Sequence, residues 1–217
     1  MTDMLGNISL FSDLADEDLK VLTKHTVTRV YPKNNVIIHE GDSSDALFVV
    51  VSGRVKAFLS DEKGKEIVLN HHGPGEYFGE MALFDDEPRS ASVITLEKTS
   101  LSMISKSDFE ACLRTNPQVA LHVIRGLIKR LRIATDNVRS LALMDVYGRV
   151  ARILLQLAEQ DDGQLIIREK LTHQDIADRV GSSREMVSRI FKDLKSGGYI
   201  EFEDKCLKIK EKLPHAW

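Results

Sequence analysis

The chain has 217 residues with 42% hydrophobic and 29% charged side chains, ordinary for a globular protein, so disordered and fibrous classes are excluded. Its net charge of −3 conceals an asymmetry: Lys+Arg against Asp+Glu is 11 to 18 over residues 1–109 and 19 to 15 over 110–217. An acidic half joined to a mildly basic one suits a polyanion-binding module attached to something else. No apolar run approaches the ~18 residues needed to cross a bilayer. The first residues, Met-Thr-Asp-Met-Leu-Gly, lack the basic-then-apolar layout of a signal peptide. A cytoplasmic location away from membranes is therefore expected.

In chain order, a short helix is expected around Ala15 to His25, with Leu19 and Leu22 at helical spacing. From about 28 to 106 the sequence reads as short strands with close turns. Val36–Ile38 is followed by a turn at Glu40-Gly41-Asp42, then come Leu47–Val51, a turn at Ser52-Gly53, and Val55–Leu59. Asp61 to Lys65 forms a hairpin loop, and Ile67–Leu69 returns. Such runs indicate an antiparallel sandwich or barrel.

Asn116 and Pro117 mark the start of a helix. Ala120, Ile124, Leu127, Leu131, Ala134, Val138 and Leu141 then step by four and three, an a/d seam that predicts a pairing of two helices between subunits. Asp145 is a plausible cap for the next helix, Val146 to about Gln160, ended by Asp161-Asp162-Gly163. Thr172 with Asp175 forms a capping-box-like start for a helix over 174–180. Gly181 supplies a tight turn, Ser182 or Ser183 caps, and a second helix runs to about Lys195. Gly197-Gly198 stop it, and residues 199–202 and 206–209 make a small hairpin.

Cys112 and Cys206 are the only cysteines, far apart, which excludes a disulfide framework, a structural zinc site and a four-cysteine cluster. Each is expected to be a small buried or half-buried hydrophobe. His71-His72 invites a metal reading, but neighbours on a strand point to opposite faces, so ordinary strand-end histidines are expected and no metal site. No GxSxG, P-loop, HExxH or Cys–His nucleophile pattern is found, and no catalytic residue is expected.

Two motifs carry chemistry. Phe78 to Phe84 (FGEMALF), followed by Pro88-Arg89-Ser90-Ala91-Ser92, joins a glycine, a carboxylate, an arginine and a hydroxyl. Arg89 and Ser90 supply the fixed positive charge and donor that a phosphate needs. Glu80 can accept from a ribose 2′-hydroxyl, and Gly79 permits close backbone approach. The second motif is Ser182 to Ile190 (SSREMVSRI). At 100° per residue it puts Arg184, Glu185, Ser188 and Arg189 on one face, and Val187, Ile190 and Leu194 on the other. Arginine reads guanine and glutamate reads cytosine in the major groove.

From about Phe11 to Ile209 these features, in this order, resemble the CRP/FNR family of regulators, and within it the catabolite-activator branch. The resemblance implies an α+β fold: a sensor β-roll (jelly roll) of the cyclic-nucleotide-binding type over residues 1–115, a dimerisation helix over 116–143, and a winged helix-turn-helix over 144–217. It implies a homodimeric, allosteric transcription factor, an activator type, on double-stranded DNA with palindromic TGTGA-like sites. RNA polymerase is the implied further partner. The effector is a cyclic nucleotide, cAMP first, with no covalently bound cofactor. Other openings are c-di-GMP or another ligand, ligand-independent DNA binding, and a ligand-binding scaffold without DNA binding.

The ligand set implied is Gly79, Glu80, Met81, Ala82, Arg89, Ser90, Ala91, Arg130 and Thr135, with Glu80 and Arg89 placed together in the roll, where the two can pair. The DNA set implied is Thr172, Gln174, Ser183, Arg184, Glu185, Ser188, Arg189 and Lys192, with Thr172, Gln174 and Lys192 on phosphates. The chain departs from the cAMP-responsive pattern at the base contacts. A Thr-Ser pair there becomes Ala134 and Thr135, so one hydroxyl is lost, about 1 kcal/mol on the scale of a net hydrogen bond.

Overall fold

The computed structural model describes residues 8–213 except 9, 12, 13, 16, 18, 21, 22, 24, 25, 44, 45, 86, 162, 170, 204, 205, 211 and 212, and omits the side chain of Ala82. It divides into two compact units: residues 1–59 with 68–132, and residues 60–67 with 133–217.

The first unit is built on two four-stranded antiparallel sheets. One has the order β1 (Val27–Tyr31), β8 (Thr99–Ser105), β3 (Ala46–Ser52), β6 (Tyr77–Phe78). The other has β2 (Val36–Ile38), β7 (Ser92–Thr95), β4 (Val55–Ser60), β5 (Glu66–His72), and between β6 and β7 lies a short helix α1 (Met81–Phe84). Strand β3 explains the packing. Successive side chains alternate in direction. Phe48 and Val50 join Ile38, Val55, Phe78, Val93 and Leu101 in a core drawn from both sheets. Leu47 and Val49 point the other way, toward Phe11, Phe109, Val119 and Val123. Covered on both faces, β3 needs an unbroken apolar run rather than an alternating one.

Two helices close that second face. Helix α2 (Lys106–Thr115), capped by Ser105, inserts Phe109 and Cys112. It falls where the sequence reading stops its strands and begins the next helix. Asn116 closes α2, and Pro117 opens the long helix α3 (Pro117–Leu143). Only part of the expected helix near the N-terminus is described: Glu17, Leu19, Lys20 and Thr23 are helical, Leu19 is buried, and Leu22 lies outside the described residues.

The seam expected on α3 divides. Val119 and Val123 are buried in the roll core and Leu127 packs against it. Leu121, Ile124, Ile128, Leu131, Val138 and Leu141 are each at least two-fifths exposed. Leu127 is half-buried, with one side packed against the first unit's core. A helix turns every 3.6 residues, so positions one apart from the seam step onto a second apolar stripe.

In the second unit, helix α4 (Val146–Leu157) is capped by the Asp145 carboxylate, which accepts from the Gly148 amide at 2.7 Å. It ends at Leu157, three residues earlier than expected. Residues 159–161 instead form strand β9 (Glu159–Asp161), which pairs with β10 (Gln164–Ile167). The Asp-Asp-Gly run is thus a hairpin signal rather than a helix stop. Helix α5 (His173–Val180) begins with a full capping box between Thr172 and Asp175 and ends at Gly181 in the left-handed region. Helix α6 (Arg184–Ser196) is capped by Ser183, and β11 (Ile200–Glu203) pairs with β12 (Cys206–Ile209). Val150, Leu154, Ile176, Val180, Val187, Ile190 and Leu194 make this unit's core. Cys112 is buried and Cys206 half-buried, as small hydrophobes. No described helix is long and apolar enough to cross a membrane.

Candidate functional site

In the first unit the chain rises from β6 through Gly79 and Glu80 into α1. Gly79 has φ +82, and a Cβ there would stand 2.5 Å from Nη1 of Arg89 and 3.3 Å from the Ala46 carbonyl oxygen. The close approach has a purpose: Arg89 donates through Nη1 to the Gly79 carbonyl and through Nη2 to that of Ala46, both at 2.6 Å. The backbone of Arg89 is fixed on the turn at Gly41-Asp42, with its amide on the Asp42 carbonyl at 2.9 Å. Arg89 is 4% exposed and Glu80 2%. Two oppositely charged side chains are thus held under the surface on either side of one glycine. Gly79→Ala is expected to cost about 1–2 kcal/mol of stability through its backbone and the displaced guanidinium, which denaturant unfolding measures.

Glu80 does not find Arg89 as its partner. Its carboxylate receives Nη1 of Arg130 from the long helix, while Nη2 of Arg130 donates to the Tyr77 carbonyl. The Arg130 guanidinium also lies 4.7 Å over the Tyr77 ring. The expected Glu80–Arg89 pairing is corrected on this point: Arg89 donates to carbonyls, and the ion pair ties the turn after β6 to α3.

Tyr77 completes this tie. Its hydroxyl is sealed, with no hydrogen-bond partner among the described residues, and burial raises its pKa. It fits against Gly126 of α3, where a Cβ would overlap the hydroxyl oxygen. Glycine within a helix normally costs about 1 kcal/mol relative to alanine. Here Gly126→Ala is expected to destabilise by about 1–2 kcal/mol, because the overlap outweighs the propensity gain. Thermal unfolding reads this, and adding Tyr77→Phe to Gly126→Ala is expected to recover much of the loss.

Four of the remaining ligand candidates, Met81, Ala82, Ser90 and Ala91, lie close along the chain. Met81 and Ala82 belong to α1, and Ser90 is exposed with its hydroxyl 3.6 Å from the Met81 sulfur. Ala91 is half-buried, and Thr135 lies on α3 in the second unit. The geometry brings Gly79, Glu80, Arg89 and Arg130 together. The Glu80–Arg130 contact spans fifty residues and has no local signal in the sequence.

In the second unit, Arg184, Glu185, Ser188, Arg189 and Lys192 are all exposed on α6, while Val187, Ile190, Phe191 and Leu194 are buried beneath. No ion pair or hydrogen bond engages the side chains of Arg184, Glu185, Arg189 or Lys192 among the described residues. Three supporting candidates are already in use. The Thr172 hydroxyl serves the capping box, Ser183 accepts from the Met186 amide at 3.2 Å, and Gln174 donates to Asp178 at 2.6 Å.

A two-sheet roll holding a buried carboxylate and a buried arginine, followed on the same chain by a winged helix-turn-helix with an open polar face, defines a ligand-sensing DNA-binding regulator. The sequence model of the cyclic nucleotide-binding domain matches residues 28–116, and that of the Crp-like helix-turn-helix domain matches 148–212. The chain is 31% identical to the CRP-like cAMP-activated global transcriptional regulator of Mycobacterium tuberculosis, over 97% of this chain and 96% of that protein. It is 35% identical to the cyclic AMP receptor protein of Thermus thermophilus, over 93% and 92%. Among solved structures, the c-di-GMP-responsive regulator CLP of Xanthomonas campestris superposes with TM-score 0.78 at 27% identity, covering 91% of this chain and 100% of that one. The catabolite activator protein of Thermus thermophilus gives 0.56 at 33%, covering 94% of each. The chain belongs to the CRP/FNR family of transcription regulators.

Proposed function

We propose that this protein is a homodimeric, cAMP-gated transcription factor acting on palindromic TGTGA-like sites in double-stranded DNA. The observation that carries it is the pairing, on one chain, of the buried Glu80/Arg89 site with the unengaged Arg184/Glu185/Arg189 face. In this reading residues 1–115 sense the ligand, 116–143 join the protomers and 144–217 read DNA. Arg89 and Ser90 take the phosphate, Glu80 the ribose, and Met81, Ala82 and Ala91 line the cassette. Arg130 approaches from the long helix, and Thr135 contributes across the interface between protomers.

The exposed leucines and isoleucines of the long helix support a two-helix seam, since apolar stripes of that kind mark association surfaces. Dimer symmetry then sets two half-sites about 34 Å apart. Arg184, Glu185, Ser188 and Arg189 face bases, Thr172, Gln174 and Lys192 serve the phosphates, and Ser183 lies at the start of the reading helix. The ligand acts by binding the DNA-competent state more tightly, a coupling of ~1–3 kcal/mol. The protein works in the cytoplasm with RNA polymerase as partner and catalyses no reaction. The cAMP-activated relatives favour cAMP. A c-di-GMP-responsive neighbour and this chain's Ala134, where a hydroxyl would serve adenine, leave c-di-GMP as the second reading.

Fluorescence anisotropy of a labelled TGTGA–TCACA duplex tests the proposal with and without saturating cAMP. Binding that tightens severalfold with cAMP supports both parts. Tight binding indifferent to cAMP overturns the ligand and moves the titration to c-di-GMP. No binding in either state overturns the DNA reading.

A further inference from the structure

Of the two adjacent histidines at the end of β5, His72 is not an ordinary strand-end residue. It is 4% exposed, against a half-buried His71. Its ring lies 5.7 Å from that of Phe78, tilted by 31°. The charge of Arg130 reaches it, with His71 the other titratable neighbour. Burial holds its pKa down to about 3, so the ring is neutral at physiological pH. A neutral imidazole offers one donor and one acceptor. Among the described residues neither ring nitrogen has a hydrogen-bond partner.

Neither nitrogen is among the sealed, unpartnered polar atoms of the described residues, so the ring is open to a partner that enters beside it. The order of contacts says which. Arg89 sits on Gly79, Glu80 follows and is held by Arg130, and the His72 ring lies against Phe78, the residue before Gly79. With the phosphate at Arg89 and the ribose at Glu80 in the cyclic-nucleotide reading, His72 beside Phe78 is the polar ring left for the base.

We infer that His72 is a specificity-determining residue of the effector site, hydrogen-bonding an edge of the purine base, with Phe78 holding the ring in orientation. This rests on the cyclic-nucleotide reading above. It assigns base recognition to the roll itself, where the helix has lost a hydroxyl at Ala134.

Calorimetric titration of the full-length protein with cAMP, cGMP and purine riboside 3′,5′-cyclic phosphate tests it, using wild type, His72→Leu and His72→Gln. The expected result is that His72→Leu changes the ratio of Kd values among the three purines by about fivefold or more, the scale of one net hydrogen bond. His72→Gln, which keeps a donor and an acceptor, is expected to retain part of the discrimination. Equal weakening of all three nucleotides by His72→Leu overturns the inference, because it marks a structural role. Unchanged affinities overturn it as well. A wild-type protein that binds none of the three overturns the cyclic-nucleotide reading and this inference with it, an outcome distinct from normal wild-type binding with an insensitive His72.

Discussion

Replacing Arg130 with alanine is expected to lower the stability of the roll by about 3 kcal/mol, the largest effect of any single truncation at the site. The pair it breaks is asymmetric. The Glu80 side chain is 3% exposed and that of Arg130 26%. Removing the arginine strands a carboxylate that cannot reach water, whereas removing the carboxylate leaves a cation that can. Breaking a buried pair costs about 3–5 kcal/mol, and the partial exposure of Arg130 puts this case at the low end. The Arg130 bond to the Tyr77 carbonyl and its place over the Tyr77 ring are lost too. Urea unfolding of the Arg130→Ala variant measures the sum. Adding Glu80→Gln to Arg130→Ala is expected to recover a large part of it, because a neutral amide no longer needs a cation. If the double variant is as unstable as the single one, the loss lies in packing rather than in the stranded charge.

The second large effect is a loss of stability in acid traceable to His72. Its pKa falls from 6.5 in the unfolded chain to about 3 in the fold, chiefly through burial and then through Arg130 and His71. Between those values the unfolded state binds a proton that the folded state refuses, so stability falls as the pH is lowered through this window. Above about pH 6.5 both states are neutral and the contribution vanishes. At pH 5 the loss amounts to about 2 kcal/mol. Comparing urea unfolding at pH 7.5 and pH 5 isolates it: the wild type is expected to lose about 2 kcal/mol more than His72→Leu. Parallel pH dependence of the two proteins would show that His72 titrates normally.

Much of this was legible in the sequence because the signals are local. The capping box at Thr172 and Asp175, the turn at Gly181 and the amphipathic α6 each declare themselves within one or two turns of chain. Helix α2 was missed although it carries such a signal. Ser105 followed three residues later by Asp108 is a serine cap of the same kind, and its hydroxyl accepts the Asp108 amide at 3.2 Å. The strand immediately before it masked the start. What no local pattern reveals is partner choice across the fold. Glu80 pairs with a residue fifty positions away, Tyr77 enters a notch at Gly126, and Leu127 turns toward the roll core. Each depends on which face of α3 meets the sheet, and two neighbouring apolar stripes made that ambiguous. The depth of His72 was hidden similarly, since a strand's alternation says which side a ring faces but not what covers it.

The joint between α3 and α4 is fastened by two arginines. Arg149 donates to the Met144 carbonyl at 2.9 Å and to that of Val180 at 2.8 Å. Arg152 reaches back to the Ser140 hydroxyl and, at 3.0 Å, to the Asp136 carbonyl. Leu143 is 79% exposed and Met144 42%, so by accessibility alone this is a cleavage point in the chain. A protease, however, cuts chain whose backbone hydrogen bonds are free to be given up. Here the carbonyl after Leu143 is occupied, and the next residue, Asp145, is engaged as a cap. The junction, which lies within the second unit, is thus a stiff rivet rather than a loose tether.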